Sequence, residues 1–189
     1  AVNERAKVAA SNAGSPRSYW DWRAREMNTH PEAYRWFAGT APEHMMFGLR
    51  EALDMLAEEG LEEIFARHRR LADATRAAVE AWSVGGVMEI NALIPDQRAE
   101  SITTIRMGDN FDIKTFQHIL REKFNVAVGG GLGQLVNNSF RIGHMGDVNE
   151  PMILGTLGSV EATFDILNLP HGDGALPAAI ASLAEAHRV

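Results

Sequence analysis

Four glycines in five residues, Gly129-Gly130-Gly131-Leu132-Gly133, constrain this chain more than any other stretch. Such a run cannot hold a helix and reads as a loop almost without side chains. A short strand follows, Asn138-Ser139-Phe140-Arg141-Ile142-Gly143-His144-Met145-Gly146. Phe140 and Ile142 fall on one face at period 2, and Arg141 points to the other, toward bare backbone. Pattern alone leaves two readings of Arg141 open. One is a strand arginine on a solvent face. The other is a guanidinium fork beside room for a ligand, which suits a carboxylate.

The surrounding order is legible from 85 onward. Residues 87–93 alternate as a strand, 101–107 form a β-branched strand, and 112–124 a helix with Ile113, Phe116, Ile119 and Leu120 inward. A third strand is expected at 125–128, then the glycine loop, then the Arg141 strand. Asn149-Glu150-Pro151 signals the start of a long helix with the stripe Ile153, Leu157, Val160, Phe164 and Leu167. A linker at 170–174 precedes a short amphipathic helix from Leu176 to His187. The order β-β-α-β-β-α predicts an α+β fold, with helices on one face of a mostly antiparallel sheet.

Two long helices come before it. Helix 40–59 is expected to start with Thr40 as N-cap, Pro42 in the first turn and Glu43 completing a capping box, and to stop at Gly60. Its stripe is Met45, Leu49, Ala52, Leu53 and Leu56. Helix 61–82 is expected to bury Leu61, Ile64, Phe65, Ala72, Val79 and Trp82. Arg67, Arg69, Arg70, Asp73, Arg76 and Glu80 read as its solvated face. Upstream lie a short helix, Asn3 to Asn12, and the aromatics Tyr19, Trp20, Trp22, Tyr34, Trp36 and Phe37. These need a covering surface or stay partly exposed. The chain begins without an initiator Met and nearly at once in a helix, as the middle of something longer would.

The formal net charge of −7 argues against nucleic-acid or anionic-membrane partners, and no run of Lys and Arg opposes that. There is no cysteine, hence no disulfide framework and no thiolate chemistry, and a reducing cytoplasm is the expected address. No apolar run approaches membrane-spanning length. The seven histidines show no paired ligand spacing, so no metal site is expected. No serine sits in a nucleophile-elbow pattern. The glycine run is neither a Walker loop nor a dinucleotide fingerprint.

Several segments together resemble class V aminotransferases of the alanine–glyoxylate and serine–glyoxylate type. These are Gly130-Gly131-Leu132-Gly133 with Phe140-Arg141-Ile142-Gly143-His144-Met145-Gly146, Phe47-Gly48-Leu49-Arg50-Glu51-Ala52-Leu53, and Ser18-Tyr19-Trp20-Asp21-Trp22. Their order and spacing agree from about residue 1 to 168. The resemblance implies the C-terminal half of a fold type I, pyridoxal-phosphate-dependent transaminase. Residues 1–59 would be a remnant of the large domain and the start of the interdomain helix, and 60–189 the small domain. It implies small amino and oxo acids as substrates and a homodimer. Arg141 matches the family's carboxylate-binding arginine, and Thr40 matches a threonine that reaches the cofactor phosphate of the neighbouring subunit. The family often carries a tyrosine three residues before that threonine, where this chain has Phe37.

Transamination also needs a lysine for the Schiff base. Lys7, Lys114 and Lys123 are the only lysines, and none lies in the family's cofactor-lysine context. No catalytic residue is therefore assigned, and the chain alone is expected to be inactive. The alternative from another class is a self-sufficient carboxylate-binding or protein-interaction domain, with the aromatics as its partner surface.

Overall fold

The computed structural model describes residues 2–15, 17, 19–26, 32, 36–37, 39–109 and 111–188. Within it the chain divides into two compact units, Ala1–Glu58 and Glu59–Val189. Among the described residues no helix is long and apolar enough to cross a membrane.

In the first unit, α1 (Glu4–Asn12) is capped by Asn3, whose Oδ1 accepts from the Ala6 N–H at 3.0 Å. The helix α2 (Glu43–Glu59) carries its apolar stripe as the periodicity predicts, but none of its residues is buried. Met45 is 74% and Leu49 59% exposed, so amphipathicity set the helix without closing a core over it. The predicted cap at Thr40 is corrected. The first helical bond runs from the Met46 N–H to the Pro42 carbonyl, which puts the N-cap at Pro42. Thr40 lies two residues upstream, and Glu43 is in the first turn rather than at the third position a capping box needs. Of the aromatics, Trp20 and Trp22 line a cavity of about 440 Å³ with Ala6, Ala9 and Ala10 of α1. Tyr19 meets Trp20 edge-on at 5.0 Å, and both remain largely exposed. Tyr34, Ser18 and His30 lie outside the described residues.

The second unit runs α3 (Leu61–Ser83), β1 (Met88–Ile90), β2 (Ile102–Met107), α4 (Ile113–Phe124), β3 (Gly129–Gly130), β4 (Ser139–Gly143), α5 (Glu150–Ile166) and α6 (Ala175–Ala186). The four strands pair antiparallel in the order β1-β2-β4-β3. Met88, Ile90, Thr103, Ile105, Met107, Phe140 and Ile142 all face the buried side, where α3, α4 and α5 contribute to one core. Glu89, Thr104, Arg106 and Arg141 alternate onto the other face. The α+β architecture expected from the element order is what forms.

The helices terminate for local reasons. Asp112 caps α4 through Oδ1, which accepts from the N–H groups of Lys114 and Thr115. At its other end Asn125 adopts a left-handed φ of 54°, and the Val126 N–H closes onto the Leu120 carbonyl. This Schellman-type ending consumes residues that the alternation of 125–128 suggested were a strand. The third strand is therefore Gly129–Gly130, inside the run that reads as a loop. Asn149 caps α5, accepting from the Met152 N–H at 3.1 Å.

In α3 the buried stripe is Ile64, Leu71, Ala74, Thr75, Ala78, Val79 and Trp82, with Ala72. Leu61 and Phe65, expected inward, are 58% and 57% exposed. They sit in the first two turns, ahead of the stretch that packs on the sheet and α6. Phe164 of α5 is the hub of the aromatic core. Its ring lies 5.3 Å from Trp82, 5.6 Å from Phe116 and 6.2 Å from Phe140, so it ties α3, α4 and β4 together. Phe164→Ala should cost about 3–5 kcal/mol, read as a lower urea midpoint for this chain with an unchanged slope.

Candidate functional site

Phe140 and Ile142 fix β4 from behind, at 0% and 2% exposure, and Arg141 between them is thrust onto the open face of the sheet. Its neighbours in the ladder are Thr104 of β2 and Gly129 of β3. The guanidinium leans over β3, where Nε donates to the Gly130 carbonyl at 2.7 Å. A Cβ built on Gly129 would lie 3.3 Å from both Nε and Nη2. Glycine at 129 is thus what lets the guanidinium lie close on the strand. Nε is committed to a carbonyl, and among the described residues the two Nη atoms have no hydrogen-bond partner, so their four N–H bonds are open to a ligand. Among the described residues no carboxylate forms an ion pair with Arg141. A fixed cation with no counter-ion among the described residues, on a face with a bare glycine beside it, matches an incoming carboxylate taken end-on by both Nη groups.

The glycine loop holds this geometry from the far side. Ser139 Oγ donates to the Leu135 carbonyl at 2.9 Å, bridging the loop just before β4. A Cβ on Gly131 would fall 2.0 Å from the Leu135 oxygen and 2.2 Å from Ser139 Oγ, so no other residue fits there. The loop closes through a short 3-10 turn, Gly133–Leu135, rather than passing directly into a strand.

The segment after β4 is held by α3. Arg67 donates from Nη1 to the carbonyls of Gly146 and Val148, both at 2.8 Å. Its Nε and Nη2 take the Glu59 carboxylate in a two-point fork at 2.6 and 2.7 Å, which holds the Glu59 carboxyl below its usual range. His68 Nδ1 donates to the Ile64 carbonyl, which leaves Nε2 to accept from the Gly146 N–H at 3.2 Å. Arg70 lies 3.6 Å from Glu150. Arg76 donates to the Ala99 carbonyl at 2.8 Å and pairs with Asp73. The predicted solvated face of α3 is therefore corrected for Arg67, Arg70 and Arg76. Their side chains are only 16%, 22% and 11% exposed because they serve backbone and carboxylate partners. Arg69, Asp73 and Glu80 do face solvent.

His144 is fully buried at the end of the Arg141 strand. Its Nδ1 lies 3.0 Å from the Glu100 carbonyl and must donate, so Nε2 accepts the Thr103 hydroxyl at 2.9 Å. Burial pushes its pKa down from 6.5 to about 4, and the Arg76 charge adds in the same direction. The ring is a neutral structural link between β2 and β4.

Thr40 lies exposed in the first unit, and Arg141 belongs to the second. Lys7 is exposed on α1, paired with Glu4 at 3.7 Å, and Lys114 and Lys123 are exposed on α4. A cofactor held by a buried Schiff-base lysine does not fit the lysines of this chain. Among the described residues no group of three or more His, Asp or Glu could hold a metal ion. The roles of His68 and of the α4 residue Gln117, which donates to the Val128 carbonyl at 2.8 Å, escaped the sequence reading, in which Arg67 is solvated surface. Helical periodicity marks a polar residue as outward and cannot say that a loop distant in sequence returns to meet it.

The sheet has one face packed by helices, and the other carries the Arg141 guanidinium, which among the described residues has no ion-pair partner. The class-V aminotransferase family model matches residues 17–141, and its match ends on this arginine. The serine–glyoxylate aminotransferase of Methylorubrum extorquens is 37% identical over 145 residues, 77% of this chain and 34% of that protein. The L-aspartate–glyoxylate aminotransferase of Paracoccus denitrificans is 32% identical over 166 residues, 88% of this chain and 40% of that protein. Among solved structures, the pyridoxamine–pyruvate aminotransferase of Mesorhizobium loti superposes with a TM-score of 0.83 at 25% identity, over 97% of this chain and 46% of that one. The chain belongs to the class-V aminotransferase family, and it spans less than half the length of these relatives. Membership implies pyridoxal phosphate as the family's cofactor.

The His144 link carries a pH signature. The native pKa is depressed, so its contribution is complete above 6.5 and is lost as pH falls from 6.5 toward 4, where only the unfolded chain takes up the proton. Between pH 7 and pH 5 the second unit should lose about 2 kcal/mol from this group. Urea midpoints at the two pH values check it. His144→Gln, which titrates nothing, should show a smaller drop over the same interval.

Proposed function

We propose that this chain is the C-terminal part of a pyridoxal-phosphate-dependent transaminase that moves an amino group between a small amino acid, such as alanine or serine, and an oxo acid, such as glyoxylate or pyruvate. Residues 1–59 would be the remnant of its large domain and 60–189 its small domain. The observation that carries the reading is the Arg141 guanidinium, fixed through Nε on the Gly130 carbonyl, with both Nη groups uncommitted among the described residues. In this role Arg141 binds and orients the substrate α-carboxylate. The serine–glyoxylate and aspartate–glyoxylate activities named for the relatives supply the substrate class. Both substrates of such a reaction are carboxylates, so one clamp serves both.

Thr40 would donate its hydroxyl to the cofactor phosphate across a homodimer. Its position upstream of the α2 N-cap supports this, because a hydroxyl not spent on capping is free to act beyond its own helix. The reaction's setting would be the cytoplasm. Bound, the cofactor supplies the electron sink for the amino-group exchange. This chain would supply the carboxylate grip and no Schiff-base lysine, and the isolated 189 residues would be inactive.

Two measurements test the reading. In the full-length enzyme, Arg141→Ala should raise KM for the amino acid by about 100-fold, as expected for losing a charge-assisted bidentate contact, and leave cofactor absorbance intact. Arg141→Lys should recover only part of that loss, because a point charge replaces a planar fork. An unchanged KM would remove Arg141 from the site. Second, pyridoxal phosphate added to the isolated chain should give no stoichiometric internal-aldimine band. A band would contradict the claim that this chain lacks the cofactor lysine.

A further inference from the structure

The strand that seats Arg141 is the weakest element of the sheet. β3 has two paired residues, both glycine, and no side chain to pack. It is also an edge strand, with β4 on one side only. By strand alternation, Gly129 and Gly131 face β4; the Gly131 N–H donates to the Ser139 carbonyl at 3.1 Å. The carbonyls of Val128 and Gly130 therefore point outward, off the sheet edge. Both are capped by side chains. Arg141 Nε takes Gly130, and Gln117 Nε2 of α4 takes Val128 at 2.8 Å. The same amide lies 3.7 Å from where a Cβ on Gly130 would stand, so it runs along the strand at the point where the guanidinium is anchored.

The residue before it completes the grip. Phe116 packs on Phe140 at 4.8 Å and is fully buried, so α4 holds β4 through Phe116 and the β3 edge through Gln117. Phe140 and Arg141 are adjacent, and the two holds meet on either side of the arginine.

We propose that Gln117 is a positioning residue for the carboxylate site: its hydrogen bond to the Val128 carbonyl fixes the glycine edge strand and thereby the Gly130 carbonyl on which Arg141 is seated. It touches no substrate. Without it, β3 keeps its ladder to β4 but loses its outer tether, and the guanidinium loses its fixed direction. This inference rests on the carboxylate role of Arg141 proposed above.

The experiment uses the full-length holoenzyme with Gln117→Met, similar in length and without a donor, and Gln117→Glu, which keeps the shape and cannot donate when ionised. Each is compared with Arg141→Ala. Gln117→Met should raise KM for the amino-acid substrate about three- to tenfold, the worth of one hydrogen bond, with kcat within about twofold and the melting temperature nearly unchanged. Gln117→Glu should raise KM at least as much, because the new carboxylate competes for the guanidinium. It also supplies the answer if the methionine variant does not fold. If Arg141→Ala raises KM and neither Gln117 variant does, the positioning role is overturned and the carboxylate reading stands. If kcat falls as far as KM rises, Gln117 acts on the fold at large, and the inference is overturned again. If Arg141→Ala leaves KM unchanged, the carboxylate reading fails, and the inference that rests on it fails too.

Discussion

The bond from Arg141 Nε to the Gly130 carbonyl is the contact on which the rest of the site depends. A free arginine on a strand sweeps a wide cone and is worth little as a recognition element, because ordering it on binding costs side-chain entropy. Here that ordering is done in advance. One donor is spent on the backbone of the neighbouring strand, and among the described residues the others have no partner. The arrangement needs a strand that comes close without side chains, and Gly129 meets that need.

Everything behind the arginine serves to keep two short strands in register. Phe140 and Ile142 are fixed by a core whose centre is Phe164, with Trp82, Phe116 and Phe140 around it. The Trp82 indole in turn donates to Glu161 at 2.8 Å, so its one polar atom is satisfied within the core helices. His144 ties β4 to β2 through Thr103 and to the preceding loop through Glu100. Arg67 and His68 then pin the chain that leaves the strand. Charged residues of α3 thus act as backbone clamps, a use in which a guanidinium with five donors has no equal among side chains.

Much of this was legible in one dimension. The β-β-α-β-β-α order, the stripe Ile153, Leu157, Val160 and Phe164, and the cap at Asn149 follow from periodicity and capping chemistry that act within a few residues. The misreadings share one cause. Residues 125–128 alternate like a strand, but the preceding helix takes Asn125 and Val126 for its own ending. Leu61 and Phe65 are apolar at helical spacing, yet they project before the core begins. Thr40 has the chemistry of a cap and is displaced from the cap position by two residues. In each case a local preference was real, and a neighbouring element decided whether it was used.

By itself the sequence determined the class of fold and the family, because helix and strand periods and a glycine-arginine motif are properties of neighbouring residues. Only the tertiary structure decided that two glycines form an edge strand, that Gly130 takes Nε, that Gln117 holds that edge, and that three arginines of α3 are clamps rather than decoration. Apart from the local Asp73–Arg76 pair, those facts join residues between 8 and 81 positions apart. Nothing in local chemistry encodes such pairs. They exist because one core brings distant backbone polar groups within hydrogen-bonding reach, where each must find a partner.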